Sequence, residues 1–382
     1  MDYNKKALQL HKKYKGKIAI KSKVPAKTLD DLSVVYTPGV GAVCRDIAKH
    51  KNKVWELTNR GNTVAIVTDG SAILGLGNIG PEAGLPVMEG KSVIFKEFAD
   101  IDAIPLCLNT EDTEEIIKFC KHIEPSFGGI NLEDISAPRC FEILARLEKE
   151  LKIAVFHDDQ DGTAIVVLAA LINACRVTGK SIKNLKVVIN GAGAAGIATA
   201  RLLLAYGIKN IILLDSQGTI YSGRKKLNPY KAKIAKSTNK NRIRGGLEEA
   251  MVAVDVFIGL SKGNLVNYEM VKSMNKGPII FAMANPTPEI MPSIALKAGA
   301  SIVGTGRSDF SNQINNALVF PGIFRGLLDG WKEKVTLKMK LATATSLAYI
   351  IKRPSKNKIL PKITDKTAVK AIANSIKNSK PR

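Results

Sequence analysis

From about residue 60 onward, short apolar runs alternate with longer segments in which apolar residues recur at helical spacing. The runs are nearly continuously apolar, which is typical of parallel strands covered on both faces. Strands that alternate with helices predict an α/β fold built on parallel sheets. The strands predicted in this way are residues 63–67, 93–95, 103–106, 129–132, 153–156, 186–189, 210–214, 254–258, 279–282 and 301–303.

Three of the predicted helices have defined positions. Residues 137–151 carry apolar side chains at helical spacing, and Ser136 is a residue type that caps a helix N-terminus. Residues 163–178 are predicted to form a buried helix that Gly179 closes. Residues 341–351 are predicted to form an amphipathic helix that returns onto the body of the protein.

The composition is that of a folded protein, with 382 residues, 45% hydrophobic and 24% charged side chains, which predicts two or three domains. The five cysteines are scattered and never form a C-x-x-C motif, which indicates a reducing compartment and argues against zinc. The longest strongly apolar stretch, residues 164–172, is too short to span a bilayer. The basic N-terminus lacks the apolar core of a signal peptide. We therefore expect a cytoplasmic protein that does not bind membranes.

The net charge of +23 is the one unusual property of the composition. Such a charge favours contact with nucleic acid or anionic membranes, or it reflects a lysine-rich chain that attracts anionic substrates. No nucleic-acid-binding motif accompanies the basic residues, and aromatic residues make up only 5% of the chain. We favour the second interpretation and expect no specific nucleic-acid partner. A non-catalytic, basic nucleic-acid-binding protein remains the alternative.

A glycine-rich turn follows the predicted strand 185–190 directly, and the helical stretch 197–206 follows the turn. The first glycine permits the tight turn, the second lets a pyrophosphate approach the backbone, and the third lets helix and strand pack closely. The phosphates then lie at the helix N-terminus, where free N–H groups favour negative charge. The order of these parts predicts a dinucleotide site. Its turn consists of Gly191, Ala192, Gly193, Ala194, Ala195 and Gly196.

The choice between NAD and NADP depends on the residues after the next strand. Asp215 ends that strand, where a carboxylate accepts a hydrogen bond from a ribose hydroxyl and repels a 2′-phosphate. Ser216, Arg224, Lys225 and Lys226 follow closely and are able to hold that phosphate instead. The sequence favours NAD only slightly.

Two acidic pairs follow two of the predicted strands. Glu133-Asp134 comes after strand 129–132, and Asp158-Asp159 comes after strand 153–156. If both strands lie in one parallel sheet, the pairs face the crevice at its carboxyl edge, where ligands of α/β proteins bind. Carboxylates in such a place form a hard-oxygen site for Mg²⁺ or Mn²⁺. The alternative is that these side chains cap helices.

Several ordered motifs resemble those of the malic enzymes. They begin with Tyr36-Thr37-Pro38-Gly39-Val40 and Thr68-Asp69-Gly70 and continue with residues 73–80, 88–91, 131–134, 156–160, 284–288, 306–309 and 315–322. The likeness runs from about residue 10 to the C-terminus and is greatest for the short bacterial and archaeal form, without a fused acyltransferase domain. Two positions depart from the pattern: Asp161 stands where the short enzymes usually have histidine, and Ser71-Ala72 stands where the larger relatives have an arginine.

The resemblance implies an N-terminal α/β catalytic domain over residues 1–160. It further implies a Rossmann-like, doubly wound NAD(P)-binding domain over residues 161–330 and a C-terminal helical segment over residues 331–382 that packs back on the body. The implied activity is the metal-dependent oxidative decarboxylation of malate to pyruvate and CO₂ with NAD(P)⁺, compatible with decarboxylation of oxaloacetate. A malolactic enzyme, which converts malate to lactate with bound NAD, is the nearest alternative. A homodimer or a higher homo-oligomer is expected.

The resemblance also implies roles for individual residues. Tyr36 would be the general acid and Lys91 the general base, with Asp158 beside Lys91. A lysine base needs a pKa lowered from its usual value near 10.4 by burial or by a nearby cation. The implied metal ligands are Glu133, Asp134 and Asp159. The residues implied to contact substrate or nicotinamide are Asn285, Asn315 and Asn316.

Overall fold

Two parallel sheets organise the chain. The computed structural model describes residues 3–73 and 75–379, so Leu74 of the glycine-rich 73–80 motif lies outside the described residues. The first sheet consists of β1 (Thr63–Thr68), β2 (Asp102–Cys107), β3 (Gly129–Leu132) and β4 (Ala154–His157). Its order is β2-β1-β3-β4, and every pair is parallel.

The second sheet has the order β10-β9-β8-β5-β6-β7 and is parallel except for the short strand β7. The strand order reverses at β5, which lies between β8 and β6, and such a switch point is where α/β sheets bind ligands. The strands are β5 (Lys186–Asn190), β6 (Asn210–Asp215), β7 (Gly218–Thr219), β8 (Val256–Gly259), β9 (Ile279–Ala282) and β10 (Ile302–Thr305).

Sixteen α-helices occur in the described residues. The first eight are α1 (Tyr3–Tyr14), α2 (Leu29–Val35), α3 (Val40–Lys49), α4 (Val54–Leu57), α5 (Pro81–Ala99), α6 (Thr113–Ile123), α7 (Arg139–Glu150) and α8 (Thr163–Thr178). The others are α9 (Ala194–Tyr206), α10 (Pro229–Ala235), α11 (Leu247–Met251), α12 (Tyr268–Lys272), α13 (Pro292–Lys297), α14 (Phe320–Asp329), α15 (Leu337–Tyr349) and α16 (Lys366–Lys377).

Helix α8 lies in the middle of the core. Its residues from Ala164 to Cys175 are all buried. The buried Asn173 amide donates to the carbonyl oxygens of Ala348 (2.7 Å) and Ile359 (2.8 Å), which ties the C-terminal region to this helix. The stretch Asp158–Thr178 is long and apolar enough to cross a membrane by length and composition, but 72% of its apolar window is buried inside the protein. A core helix passes the same test, so this stretch carries no membrane assignment.

Nine of the ten predicted strands are confirmed, with ends that differ by at most two residues. The strand predicted at residues 93–95 is wrong, because these residues lie inside α5. Met88, Lys91, Ser92, Phe95 and Ala99 are buried along that helix at helical spacing. A three-residue apolar run cannot distinguish a strand from the buried face of a helix.

The predicted cap of α7 is also wrong. The helix begins at Arg139 after Pro138, and the Ala137–Pro138 peptide bond is cis. The Ser136 hydroxyl accepts a hydrogen bond from the Arg139 guanidinium (3.1 Å) instead of capping the helix. Helix α8 and its closing residue Gly179 are as predicted. The C-terminal helix predicted at residues 341–351 spans Leu337–Tyr349.

The N-terminal segment, residues 3–49, has no core of its own. None of the described residues before Thr63 is buried, including all of α1, α2 and α3. Lys17 attaches the segment to α5 through its backbone N–H to Glu89 (3.1 Å) and its ammonium to the Pro86 carbonyl (2.6 Å). Its exposed apolar side chains are Tyr3, Leu8, Leu10, Tyr14, Ile18, Ile20, Val24, Leu29, Leu32, Val34, Val35, Tyr36, Val40 and Val43.

Candidate active site

The two acidic pairs lie side by side at the carboxyl edge of the first sheet. Strands β3 and β4 are paired in parallel, with Leu132 opposite His157, so the residues that follow each strand are neighbours. One carboxylate oxygen from each of Glu133, Asp134 and Asp159 lies within 4.8 Å of the others. The backbone N–H of Asp134 donates to Asp159 (2.8 Å), which fixes the two turns relative to each other.

This cluster fits a divalent cation. Glu133 and Asp134 are buried, and Asp159 is partly buried. Burial and the nearby Asp159 carboxylate raise the pKa of Glu133 well above its usual range, which a bound cation would offset. Asp158 Oδ1 and Asn131 Oδ1 are also buried without a hydrogen-bond partner among the described residues. The three ligand atoms of this group are all carboxylate oxygens, a donor set suited to Mg²⁺ or Mn²⁺.

Helix α5 carries Lys91 into the acidic cluster. The Lys91 ammonium lies 2.5 Å from Asp158 Oδ2 and 2.9 Å from Glu133 Oε1, and 4.5 Å from the centre of the Phe320 ring. Burial disfavours the ammonium, but the carboxylates of Asp158, Glu133 and Asp159 outweigh it and raise the pKa of Lys91. The lowered pKa that a lysine base requires is therefore not supplied by these side chains alone.

The loop after β1 is held by a second ion pair, which the sequence did not predict. Arg139 contacts Asp69 (2.8 Å) and the Ser71 hydroxyl (3.1 Å), and Asp69 is buried. Ser71 also accepts a hydrogen bond from the Ser136 backbone N–H (2.9 Å). A guanidinium from α7 thus lies beside Ser71. Its hydrogen bonds to protein atoms indicate a structural contact.

The Asp161 carboxylate forms an ion pair, so it does not add an unpaired negative charge next to the acidic cluster. Asp161 belongs to the π-helical turn Asp158–Gly162, and its Oδ2 lies 2.6 Å from the ammonium of Lys340 on α15. Both side chains are largely buried, with 13% and 16% exposed. The Asp161–Lys340 pair therefore connects the turn that carries Asp158 and Asp159 to the C-terminal helices.

The glycine-rich turn packs closely at two of its glycines and is open at the third. Gly191 has φ +119°, and a Cβ there would lie 2.4 Å from the Leu260 carbonyl oxygen. A Cβ on Gly196 would lie 1.7 Å from the Gly191 oxygen, so only glycine permits this packing of strand and helix. By contrast, a Cβ on Gly193 would meet no atom within 4 Å, which leaves the approach to the N-terminus of α9 open. Ala192, Ala194 and Ala195 complete the turn.

Asp215 ends β6 as predicted, but its carboxylate is already engaged. Arg224 contacts both oxygens, at 2.9 Å and 2.5 Å, and the Lys231 ammonium lies 2.7 Å from Oδ2. Burial alone would raise the pKa of Asp215, but these two cations lower it to about 2. Lys231 was not among the residues considered from the sequence. The other residues that the sequence suggested for a 2′-phosphate, Ser216, Lys225 and Lys226, are exposed to solvent.

The three asparagines lie on segments after strands of the second sheet, and two of them contact loops of the first sheet. The Asn285 carbonyl oxygen would be 2.3 Å from a Cβ on Gly75, so the loop after β9 contacts the loop after β1. Asn316 Cβ would lie 3.2 Å from a Cβ on Gly162, at the end of the turn that follows β4. The Asn315 side chain accepts from the Ala317 N–H (2.9 Å) and begins the 3-10 helix Asn316–Leu318.

Tyr36 is not enclosed with the buried cluster. It ends α2 on the N-terminal segment, and 69% of its surface is exposed, compared with 9% for Lys91. Lys91, Asp158, Glu133, Asp134 and Asp159 are brought together within one chain, whereas the tyrosine lies on a surface.

Comparison with known protein families gives two matches that together cover most of the chain. The family described as "Malic enzyme, N-terminal domain" matches residues 14–148. The family described as "Malic enzyme, NAD binding domain" matches residues 160–379.

Individual relatives give the same result. The chain is 53% identical to the bifunctional malic/malolactic enzyme of Bacillus subtilis over 379 residues, which cover 98% of this chain and 92% of that one. It is 50% identical to the probable NADP-dependent malic enzyme of Rickettsia prowazekii, covering 91% of this chain but only 46% of that longer one. The crystal structure of the NAD-dependent malic enzyme of Thermotoga maritima superposes with a TM-score of 0.95 at 48% identity, covering 98% and 99% of the two chains.

Proposed function

This chain belongs to the malic enzyme family, and we propose that it oxidises malate and decarboxylates it to pyruvate and CO₂ with reduction of NAD(P)⁺ in the cytoplasm. The observation that carries this proposal is the contact of Lys91 with Asp158 and Glu133 inside the acidic cluster. Oxidation and decarboxylation of a 2-hydroxy acid need a base, a divalent cation and a hydride acceptor. For these the chain offers a lysine, a cluster of carboxylates and a sheet with a dinucleotide-type glycine-rich turn.

Lys91 is proposed to take the proton from the C2 hydroxyl of malate. Only the neutral amine can do so. Burial favours the neutral amine, but Asp158, Glu133 and Asp159 raise the pKa of Lys91, and two of these carboxylates, Glu133 and Asp159, are among those proposed to hold the cation. Glu133, Asp134 and Asp159 would hold Mg²⁺ or Mn²⁺, and Asp158 would orient the Lys91 ammonium. A bound cation would offset part of this negative charge and would supply Lewis-acid stabilisation of charge on the substrate oxygens, and the nicotinamide would be the hydride acceptor.

The asparagines and the glycine-rich turn are proposed to position the reactants. Asn285 lies where the loops after β1 and β9 touch, which suits a contact to substrate or nicotinamide. Asn315 and Asn316 belong to the loop that packs against the turn after β4, and we assign them to substrate. Residues 191–196 would hold the pyrophosphate at the N-terminus of α9. Tyr36 is proposed to deliver a proton from its phenolic O–H to C3 of the enolate.

We further propose that the protein is a homodimer in which the N-terminal segment of one copy covers the other. Fourteen apolar side chains are exposed on this segment, far more than isolated surface residues explain. In a two-fold symmetric dimer the same segment of each copy would contribute to the interface, so the exposed apolar side chains of both copies would be buried. Tyr36 lies on the same segment, so the tyrosine of one copy would complete the site that contains Lys91 of the other.

Malolactic activity is the second candidate, because the Bacillus subtilis relative is named a bifunctional malic/malolactic enzyme. In that reaction the cofactor stays bound and lactate is released.

One assay distinguishes the two reactions. Absorbance at 340 nm is followed with malate, Mn²⁺ and either NAD or NADP, with and without chelator, and pyruvate and lactate are quantified. A chelator-sensitive rise in absorbance with pyruvate as product supports the proposal. Lactate formation without a rise supports malolactic activity, and the absence of both products from folded protein would refute the proposed function.

A further inference from the structure

The sequence favours NAD because Asp215 occupies the position of a ribose-binding carboxylate, but every acceptor position of this carboxylate is in use. Oδ1 accepts from the Gln217 backbone N–H (3.0 Å) and from Arg224 Nη1 (2.9 Å). Oδ2 accepts from Arg224 Nη2 (2.5 Å) and from Lys231 Nζ (2.7 Å). A carboxylate offers about four acceptor positions, so none remains for the hydroxyls of an adenosine ribose.

We propose that Lys231 and Arg224 bind the 2′-phosphate of NADP and that Asp215 positions these two cations instead of selecting NAD. This inference rests on the proposed use of a nicotinamide dinucleotide and deepens it. The cluster of Asp215, Arg224 and Lys231 has one negative and two positive charges, so its net charge is +1. A carboxylate without partners repels a phosphate at this position, whereas this cluster attracts it.

The two cations have different roles in the cluster. Arg224 is 11% exposed and also donates to the carbonyl oxygens of Gly218 (3.0 Å) and Thr219 (3.1 Å), so its guanidinium is fixed as a source of positive charge. The Lys231 side chain is 23% exposed, and its ammonium has three donors, of which Asp215 uses one. Lys231 is therefore the group that can turn a donor to a phosphate without losing its contact to Asp215.

The test measures nucleotide binding without turnover. Calorimetric affinities are determined for adenosine 2′,5′-bisphosphate and for 5′-AMP, which differ only by the 2′-phosphate. We expect the wild-type protein to bind the bisphosphate at least about tenfold more tightly. Lys231→Met should reduce the ratio of the two affinities by about tenfold, and Lys231→Arg should restore most of it. Lys233→Met is the matched control, since Lys233 is exposed on the same helix α10, and it should leave the ratio within about twofold.

Equal binding of both ligands by the wild-type protein, tighter binding of 5′-AMP, or an unchanged ratio in Lys231→Met would overturn the inference. A variant that fails to fold would bind neither ligand and would give no ratio, so an unchanged ratio counts only when Lys231→Met binds 5′-AMP as the wild-type protein does, and the wild-type comparison decides on its own. The kinetic counterpart is the ratio of kcat/KM for NADP to that for NAD, which Lys231→Met should shift towards NAD by about tenfold. Absence of malate turnover would refute the proposed function alone, because the binding ratio is measured without malate.

Discussion

The two residues proposed to transfer protons lie in different surroundings, one buried and the other exposed to solvent. Lys91 is 9% exposed and contacts two carboxylates at the ends of β3 and β4, all within one chain. Tyr36 is 69% exposed on a segment in which no residue is buried. A buried ion cluster is maintained by the sheet that carries it, whereas an exposed apolar segment needs a second surface. On this contrast rests our proposal that one half of the site is formed by folding and the other by association of two copies.

Local interactions nevertheless shape the N-terminal segment. Thr28 and Asp31 form a reciprocal capping box at the start of α2, with hydrogen bonds of 3.0 Å and 3.1 Å. Such caps stabilise a helix by about 1 kcal/mol, which is far less than burial of an apolar face supplies. Short helices of this kind therefore depend on tertiary or quaternary packing for most of their stability.

The largest expected effect concerns the buried region. Replacing Lys91 with alanine removes the proposed base, and kcat should fall by about 10²–10⁴-fold, the usual contribution of general acid–base catalysis. The change is measured by absorbance at 340 nm with saturating malate and Mn²⁺. Lys96→Ala is the control, since Lys96 is exposed on the same helix and should change kcat by less than about twofold. Full turnover in Lys91→Ala would remove Lys91 from the mechanism.

A second effect concerns the metal ligands of the buried region. Saturating Mn²⁺ should raise the Tm of the wild-type protein by several degrees, because a ligand present at 100 times its Kd stabilises the folded state by about 2.7 kcal/mol. Glu133→Gln should abolish most of this shift, since it removes one charge from the three-carboxylate site. In the control Glu97→Gln, an exposed carboxylate on α5 is changed and the shift should persist. An equal Mn²⁺ shift in Glu133→Gln would show that the cation binds elsewhere.

The smallest effect concerns the Asp161–Lys340 pair, which connects the buried turn to the C-terminal helices. Lys340→Met leaves the largely buried Asp161 carboxylate without its cation, and we expect a loss of about 1–3 kcal/mol in the free energy of unfolding. Adding Asp161→Asn should recover part of that loss, because the unpaired charge is then removed. Denaturant unfolding of Lys340→Met, of Asp161→Asn, of the double variant and of the exposed control Lys338→Met gives the measurement. Strictly additive losses would indicate that the pair is not coupled.

Much of the buried region could be predicted from the sequence because its signals are local. Acidic pairs directly after apolar runs predict the carboxyl edge of a sheet, and the spacing of the glycines predicts the turn between β5 and α9. The 93–95 strand failed because burial in α5 and burial in a strand give the same three apolar letters. Ser136 failed as a cap because the helix starts three residues later, after Pro138.

What could not be predicted involves partners distant in sequence. Asp161 contacts a lysine 179 positions away, and no local pattern indicates it. Lys231 lies 16 positions after Asp215, on a helix whose orientation depends on packing. The exposure of Tyr36 is likewise a property of the whole fold, because the apolar pattern of its segment is equally compatible with packing inside one chain. The roles of these residues and the domain boundaries stay predictions.

The most direct test of a site shared between two copies is the activity of purified mixed dimers. Tyr36→Phe and Lys91→Ala chains, carrying different affinity tags, are expressed together, and dimers with one chain of each kind are isolated. If the tyrosine acts across the interface, one of the two sites contains both native residues, and the mixed dimer should have about half the wild-type kcat. If no mixed dimer forms, or if its kcat is no higher than that of the single-variant proteins, the shared site is contradicted.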